Sequence, residues 1–178
     1  IAAVVNNASR LDDFVIVTIH AHEGPTRAEP AGFLPVFARA MIDAGADVFV
    51  GHGPHALRGI EIHEGRPIFY SLGDFVFQNE TLLRLPSDNY ERYDLDEQKH
   101  VADFNDARYE NDTTGFPAVP EIWESVIAVP TFTNRELTEL ALYPIDLGFG
   151  LPRSVRGRPL LANEELGKEI INDLRELS

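Results

Sequence analysis

The run Phe14-Val15-Ile16-Val17-Thr18-Ile19 ends on His20, and the run Asp47-Val48-Phe49-Val50 breaks at Gly51-His52-Gly53-Pro54-His55. Both runs are short, almost wholly apolar and rich in β-branched residues, the pattern of strands covered on both faces in an α/β sheet. Between them, Gly24-Pro25 and Glu29-Pro30 punctuate a loop. Phe33, Phe37 and Met41, with Leu34 and Ala38 beside them, then recur at helical spacing as far as Gly45, which suits the C′ position of a helix. Strand, helix and strand in this order predict an α/β fold. Both strands deliver histidines at their C-terminal ends, where open α/β sheets place their ligands.

Working outward, Ile60-Glu61-Ile62-His63 and Pro67-Ile68-Phe69-Tyr70-Ser71-Leu72 flank Glu64-Gly65-Arg66 and read as a hairpin with a glycine-bearing turn, followed by a loop at Gly73-Asp74. From Asn79 to about Glu121 the chain turns polar and acidic with little periodicity, which predicts a surface insertion carrying short helix. Phe104, Tyr109 and Phe116 are suited to pin it against the body. Val126-Ile127-Ala128-Val129 and Leu140-Ala141-Leu142-Tyr143, turning near Asn134-Arg135, predict a second hairpin. Asn163 then caps a helix with Glu164 and Glu165 in its first turn and Leu166, Ile170, Leu174 and Leu177 on its apolar face. At the other end, Ile1 to Ala8 reads as the tail of a helix already under way, so the chain is expected to begin partway through a larger domain.

At 178 residues the chain is the size of one domain, large enough to bury a core without disulfides. It contains no cysteine, which excludes thiolate metal sites and cysteine nucleophiles and leaves the compartment open. A net charge of -14 repels phosphate backbones and anionic head groups, so nucleic acid is not an expected partner. No apolar run approaches the roughly 20 residues that span a bilayer.

Four of the six histidines fall in two tight groups, His20 with His22 and His52 with His55. Neutral imidazole is the commonest metal ligand, residues i and i+2 of an extended chain point to one side, and Gly53-Pro54 turns the chain between His52 and His55. A single histidine is more often a plain hydrogen-bonded or surface residue; two clusters at the ends of two strands favour a shared site. Glu23 and Asp74 are the carboxylates best placed to join it or to orient its rings, although solvation alone is the slightly preferred reading of Asp74. His63 and His100 are read as bland. Tyr70 reads as core, Ser71 lacks a G-x-S-x-G elbow, and no phosphate-cradling glycine loop occurs.

The strings Ile19-His20-Ala21-His22-Glu23, Ile42-Asp43-Ala44-Gly45-Ala46-Asp47, Gly51-His52-Gly53-Pro54-His55, Gly59-Ile60-Glu61 and Ile68-Phe69-Tyr70-Ser71-Leu72-Gly73-Asp74-Phe75 resemble, in order, the bacterial CapA family. These are capsule and poly-γ-glutamate biosynthesis proteins related to calcineurin-like metallophosphoesterases. The resemblance implies a calcineurin-like four-layer α/β sandwich, of which this chain would be the second half, with the acidic insertion at 79–121. It implies His20, His52 and His55 as ligands of one or two divalent metal ions, Mn, Fe or Zn, with His22 or Glu23 moving a proton. The ions, about 3.5–4 Å apart, would activate a bridging water and clamp an anionic transition state.

The implied activity is hydrolysis of a phosphoester or action on a γ-glutamyl polymer; a non-catalytic capsule assembly or export module is the alternative. The residues leave the location undecided, and only the family resemblance points to the cell envelope or an extracytoplasmic site. Asp74 stands where the family usually has Asn, and Ala21-His22 where many members have Trp-Gly. The family's earlier Gly-Asp and Asn-His motifs are missing, so a complete centre is expected to need an N-terminal half.

Overall fold

In a computed structural model that describes residues 1–96 and 98–178, the two histidine-terminated runs are neighbouring parallel strands. β1 (Ile16–His20) pairs with β2 (Val48–His52) from Ile16 beside Val48 to His20 beside His52. Both strands therefore extend to include their histidine. The chain crosses between them through α2 (Phe33–Asp43), preceded by α1 (Ala2–Leu11) at the start of the chain. Leu34, Ala38, Met41 and Ile42 are buried, three and four residues apart, and so form one helical face. They pack with Val5, Val15, Phe49, Ile68 and Tyr70 into the first core. Gly45 follows the helix with φ +111°, and a Cβ there would meet the Ser9 hydroxyl at 2.6 Å, so this sharp exit requires glycine.

The expectation of strands covered on both faces needs correcting for β1. β2 and β4 (Arg66–Leu72) are largely enclosed, but β1 alternates, and Ile16 remains 57% exposed. The first core takes up only Val17 and Ile19 on one face of β1, and Ile16 and Thr18 on the other stay open.

β3 (Leu57–His63) and β4 form the expected hairpin, turning at Glu64 and Gly65 with φ of 48° and 70°, the left-handed pair that a tight two-residue turn demands. β4 also lies parallel to β2, giving the strand order β1-β2-β4-β3. A second, antiparallel sheet has the order β5-β6-β7, from β5 (Glu124–Thr133), β6 (Glu136–Asp146) and β7 (Leu160–Leu161). Its hairpin is longer than the apolar pattern predicts, because the ladder continues past a bulge at Thr131/Phe132 into residues that face solvent. In α5 (Glu164–Leu177) the Asn163 carboxamide oxygen accepts from the Glu165 and Leu166 amides, both at 3.0 Å. Ile170 and Leu174 of that helix are buried with Leu57 and Val126, which joins the two sheets through a second core.

The stretch between β4 and β5 carries α3 (Ser87–Glu91), α4 (Val101–Tyr109) and short 3-10 turns. Val101, Phe104 and Tyr109 are buried. Arg156, itself buried, ties the stretch down by donating to Asp112 at 2.9 Å and to Glu80 at 2.7 Å, with its guanidinium carbon 5.2 Å from the centre of the Trp123 ring.

Asp47, immediately before β2, has no exposed surface. Its carboxylate accepts from the Val15 amide at 2.8 Å and from Arg135 Nε and Nη2 at 2.9 and 2.7 Å, with Arg66 Nε at 3.6 Å. Burial pushes its pKa up, but the bonds from Arg135 and Val15 and the two positive charges outweigh burial and hold it below the ordinary carboxylate value. A depressed carboxyl contributes stability that is present above its unfolded-state pKa and is lost as pH falls through its folded one. Asp47→Ala should therefore lower the unfolding free energy by about 3 kcal/mol at neutral pH. In urea titrations this is a drop in midpoint at constant slope, and the gap between variant and parent should narrow below about pH 4.

Candidate functional site

His20 and His52 are lateral neighbours at the C-terminal edge of the first sheet, and their Nδ1 atoms approach to 3.0 Å. The Ala21 amide continues the ladder by donating to the His52 carbonyl at 2.8 Å, which carries the chain one step further and presents His22 beside His20. The two Nε2 atoms of His20 and His22 are 2.7 Å apart. His52 Nε2 lies 3.4 Å from the Thr18 hydroxyl. Burial, followed by the neighbouring His20, pushes the His52 pKa down, which keeps its ring neutral and its lone pair available at neutral pH.

His55 reaches the same edge differently. Gly53 adopts φ +122°, and a Cβ there would sit 3.1 Å from the His20 ring, so only a glycine lets the loop pass over that imidazole. His55 itself is left-handed at φ 57°. Its Nδ1 lies 3.0 and 3.1 Å from the two carboxylate oxygens of Asp74, which fixes a proton on Nδ1 and leaves the lone pair of the neutral ring on Nε2. Phe116 and Phe77 stand 5.0 and 6.0 Å from the ring, and His22 is 5.9 Å away, centre to centre. The order in space is His52, His20, His22, His55.

His52 and His22 thus each touch His20, and His55 adjoins through His22. Glu23 contributes its backbone: its carbonyl accepts from Arg58 Nη2 at 3.2 Å and from the Ala31 amide at 3.1 Å, while its side chain makes no hydrogen bond among the described residues. Asp74 departs from the solvated reading, because it is the partner of His55. The signal for it was topological: β4 runs parallel to β2, so the Gly73-Asp74 loop is delivered to the histidine edge.

Imidazole suits a divalent transition ion in kind, but His20 turns Nδ1 to His52 and Nε2 to His22, so the three rings do not converge on one point. They form a partial set, since no group of three or more His, Cys, Asp and Glu poised to hold an ion occurs among the described residues.

Beside His22 and His55 opens a cleft of about 450 Å³, bordered also by Gly24, Arg27, Pro54 and Phe116. On the far side of Arg27 lies a separate cavity of about 410 Å³ with an apolar floor that includes Leu57 and Leu177, rimmed by Glu121, Glu124, Asp173 and Glu176. Burial, and then the charges of Glu169, Asp173, Glu121 and Asp146, push Glu124 up to about 7.

A mixed α/β sheet that gathers its histidines and one orienting aspartate at the C-terminal strand ends defines an α/β protein with a strand-end site. Residues 1–79, which contain all of these groups, match the family described as bacterial capsule synthesis protein PGA_cap. The PGA biosynthesis protein CapA of Bacillus subtilis is 45% identical over 74 residues, 42% of this chain and 19% of that protein. The capsule biosynthesis protein CapA of Bacillus anthracis is 45% identical over 65 residues, 36% of this chain and 16% of that protein. Over residues 1–79 the chain belongs to the CapA family of bacterial capsule synthesis proteins. An uncharacterized protein of Sinorhizobium fredii, y4sH, is 44% identical over 186 residues, covering 98% of this chain, and the chain spans 39% of its length.

Two outcomes are expected. Asp74→Ala should release the His55 proton from Nδ1, seen as a changed tautomer pattern in long-range ¹⁵N–¹H spectra, with the cooperative thermal transition retained. Because folded Glu124 keeps a proton that the unfolded chain gives up near 4.5, its contribution to stability is lost as pH rises from there through 7. Glu124→Gln should match the parent at pH 4 and exceed it at pH 8 by on the order of 1–2 kcal/mol in urea titrations.

Proposed function

We propose that this chain supplies the histidine portion of a divalent-metal centre in a calcineurin-like four-layer α/β sandwich, and that the whole protein hydrolyses a phosphoester in the course of capsule or poly-γ-glutamate synthesis. The observation that carries this reading is the in-register pairing of His20 with His52, which brings two imidazoles to the C-terminal edge of a parallel strand pair, with His22 against His20. His20, His52 and His55 would hold the ion or ions, and further ligands would come from elsewhere in a protein of its relatives' length. Manganese, iron and zinc all suit such donors. A bound ion would supply an activated water at neutral pH and polarise the phosphoryl oxygens.

The remaining work falls to the chain itself. Asp74 holds the His55 ring at Nδ1, Phe116 and Phe77 shield one side of that ring from water, and His22 takes or returns a proton at Nε2. Glu23, next in sequence, is the second candidate for proton transfer.

A non-catalytic capsule assembly or export module is the competing reading. It is favoured by the partial donor set among the described residues, while the net charge of -14 opposes close approach of a polyglutamate chain in either reading. Elemental analysis of the purified full-length protein separates the two. The enzyme reading expects a stoichiometric divalent ion together with turnover of a chromogenic phosphate ester. His20→Ala should reduce bound metal to below about one-tenth of the parent's. Metal without turnover would favour the binding module, and metal content unchanged by His20→Ala would remove His20 from the ligand set.

A further inference from the structure

We infer that Arg27 is the anion-recognising residue of the histidine cleft, and that buried Arg58 holds it there. The assignment rests on reading that cleft as the substrate's site, and it adds the charge the substrate must present. In a chain of net charge -14, the described residues bordering the cleft include no carboxylate, and Arg27 is the one formal charge among them.

The Arg27 side chain is located by a single hydrogen bond, from Nη1 to the Pro54 carbonyl at 2.9 Å, and Pro54 also borders the cleft. Nε and Nη2 have no partner among the described residues. These two atoms form one edge of the planar fork, the edge that grips two oxygens of a phosphate or carboxylate at once.

Beneath the same loop lies a second guanidinium. Arg58 is 0% exposed, and it donates from Nε to the Arg27 carbonyl at 3.0 Å and from Nη2 to the carbonyls of His22 and Glu23 at 3.1 and 3.2 Å. Its Nη1 is buried without a partner, and the Glu23 carboxylate, whose charge acts on it, forms no ion pair with it among the described residues. Gly24 makes this arrangement possible, because a Cβ there would run into the Glu29 carbonyl and stand 3.0 Å from Arg58 Nη2. Arg58 therefore does two things. It fixes the backbone of both Arg27 and His22 through three carbonyls, and it places a positive charge under the cleft where the low dielectric weakens its screening. Arg27 also borders the neighbouring cavity, whose carboxylates make no ion pair with it among the described residues and so leave its fork open.

The ligand is thus an oxyanion held by Arg27 within reach of His22 and His55. It would be either a phosphate or the carboxylate of a γ-linked glutamyl unit. Titration of the full-length protein with inorganic phosphate and, separately, with γ-glutamylglutamate, followed by calorimetry and by the His22 and His55 ring resonances, tests this and identifies the source of the anion. The expected result is binding of one probe that weakens at least tenfold in both Arg27→Met and Arg27→Gln and is partly restored in Arg27→Lys. The thermal transition and the metal content should remain those of the parent. Equal affinity in parent and uncharged variants, or no binding of either probe to the parent, would overturn the inference. Metal content and ester turnover are read separately, so an Arg27-dependent anion site in a protein without metal or turnover would sustain this inference while refuting the phosphoesterase reading.

Discussion

A single carboxylate with no access to water organises the end of the first sheet opposite the histidines. Asp47 closes the start of β1 through the Val15 amide, approaches Arg66 at the start of β4, and receives both arms of Arg135 from the turn between β5 and β6. Three strands of one sheet and the hairpin of the other are therefore referenced to one point. A buried charge of this kind is costly unless every partner is in place, which makes alternative registers expensive. Since a one-residue slip would turn every side chain of a strand to the opposite face, the pairing of His20 with His52 depends on this anchorage at the far end of the same strands.

At the histidine edge, precision comes from backbone rather than from bulk. Gly53 permits the close passage over His20, and Gly73, at φ +77° with a Cβ position only 2.6 Å from the Glu124 carbonyl, seats the loop that bears Asp74. Arg58 fixes the opposite loop through three carbonyl oxygens. The segment between β4 and β5 supplies Phe116 to the wall around His55 and is itself held by Arg156 through Asp112 and Glu80. The site is thus framed by loops whose conformations are set by buried cations.

Local features were readable from sequence because their causes are local. The apolar runs before His20 and His52, the helical face of Leu34, Ala38, Met41 and Ile42, the turn at Glu64-Gly65 and the cap at Asn163 each follow from residues within a few positions of one another. What escaped depends on partners far along the chain. Asp47 meets Arg135 across 88 positions, and Arg58 meets the His22 carbonyl across 36. The role of Asp74 needed the insertion of β4 between β2 and β3, which no periodicity encodes. The open face of β1 was missed for a related reason: a continuous apolar run does not say which of its two faces will be covered.

The close contacts along His52, His20 and His22 have a consequence for how these rings can behave. A neutral imidazole carries one N–H and one lone pair, so with no ion bound a neutral His20 would commit both, one toward each neighbour. Only two orders of hydrogen are then consistent with both contacts, one with every N–H pointing along the row and one with every N–H pointing back. The three tautomers are locked into a single two-valued unit, so fixing the hydrogen at His52, beside the Thr18 hydroxyl, dictates which nitrogen of His22 is bare at the other end.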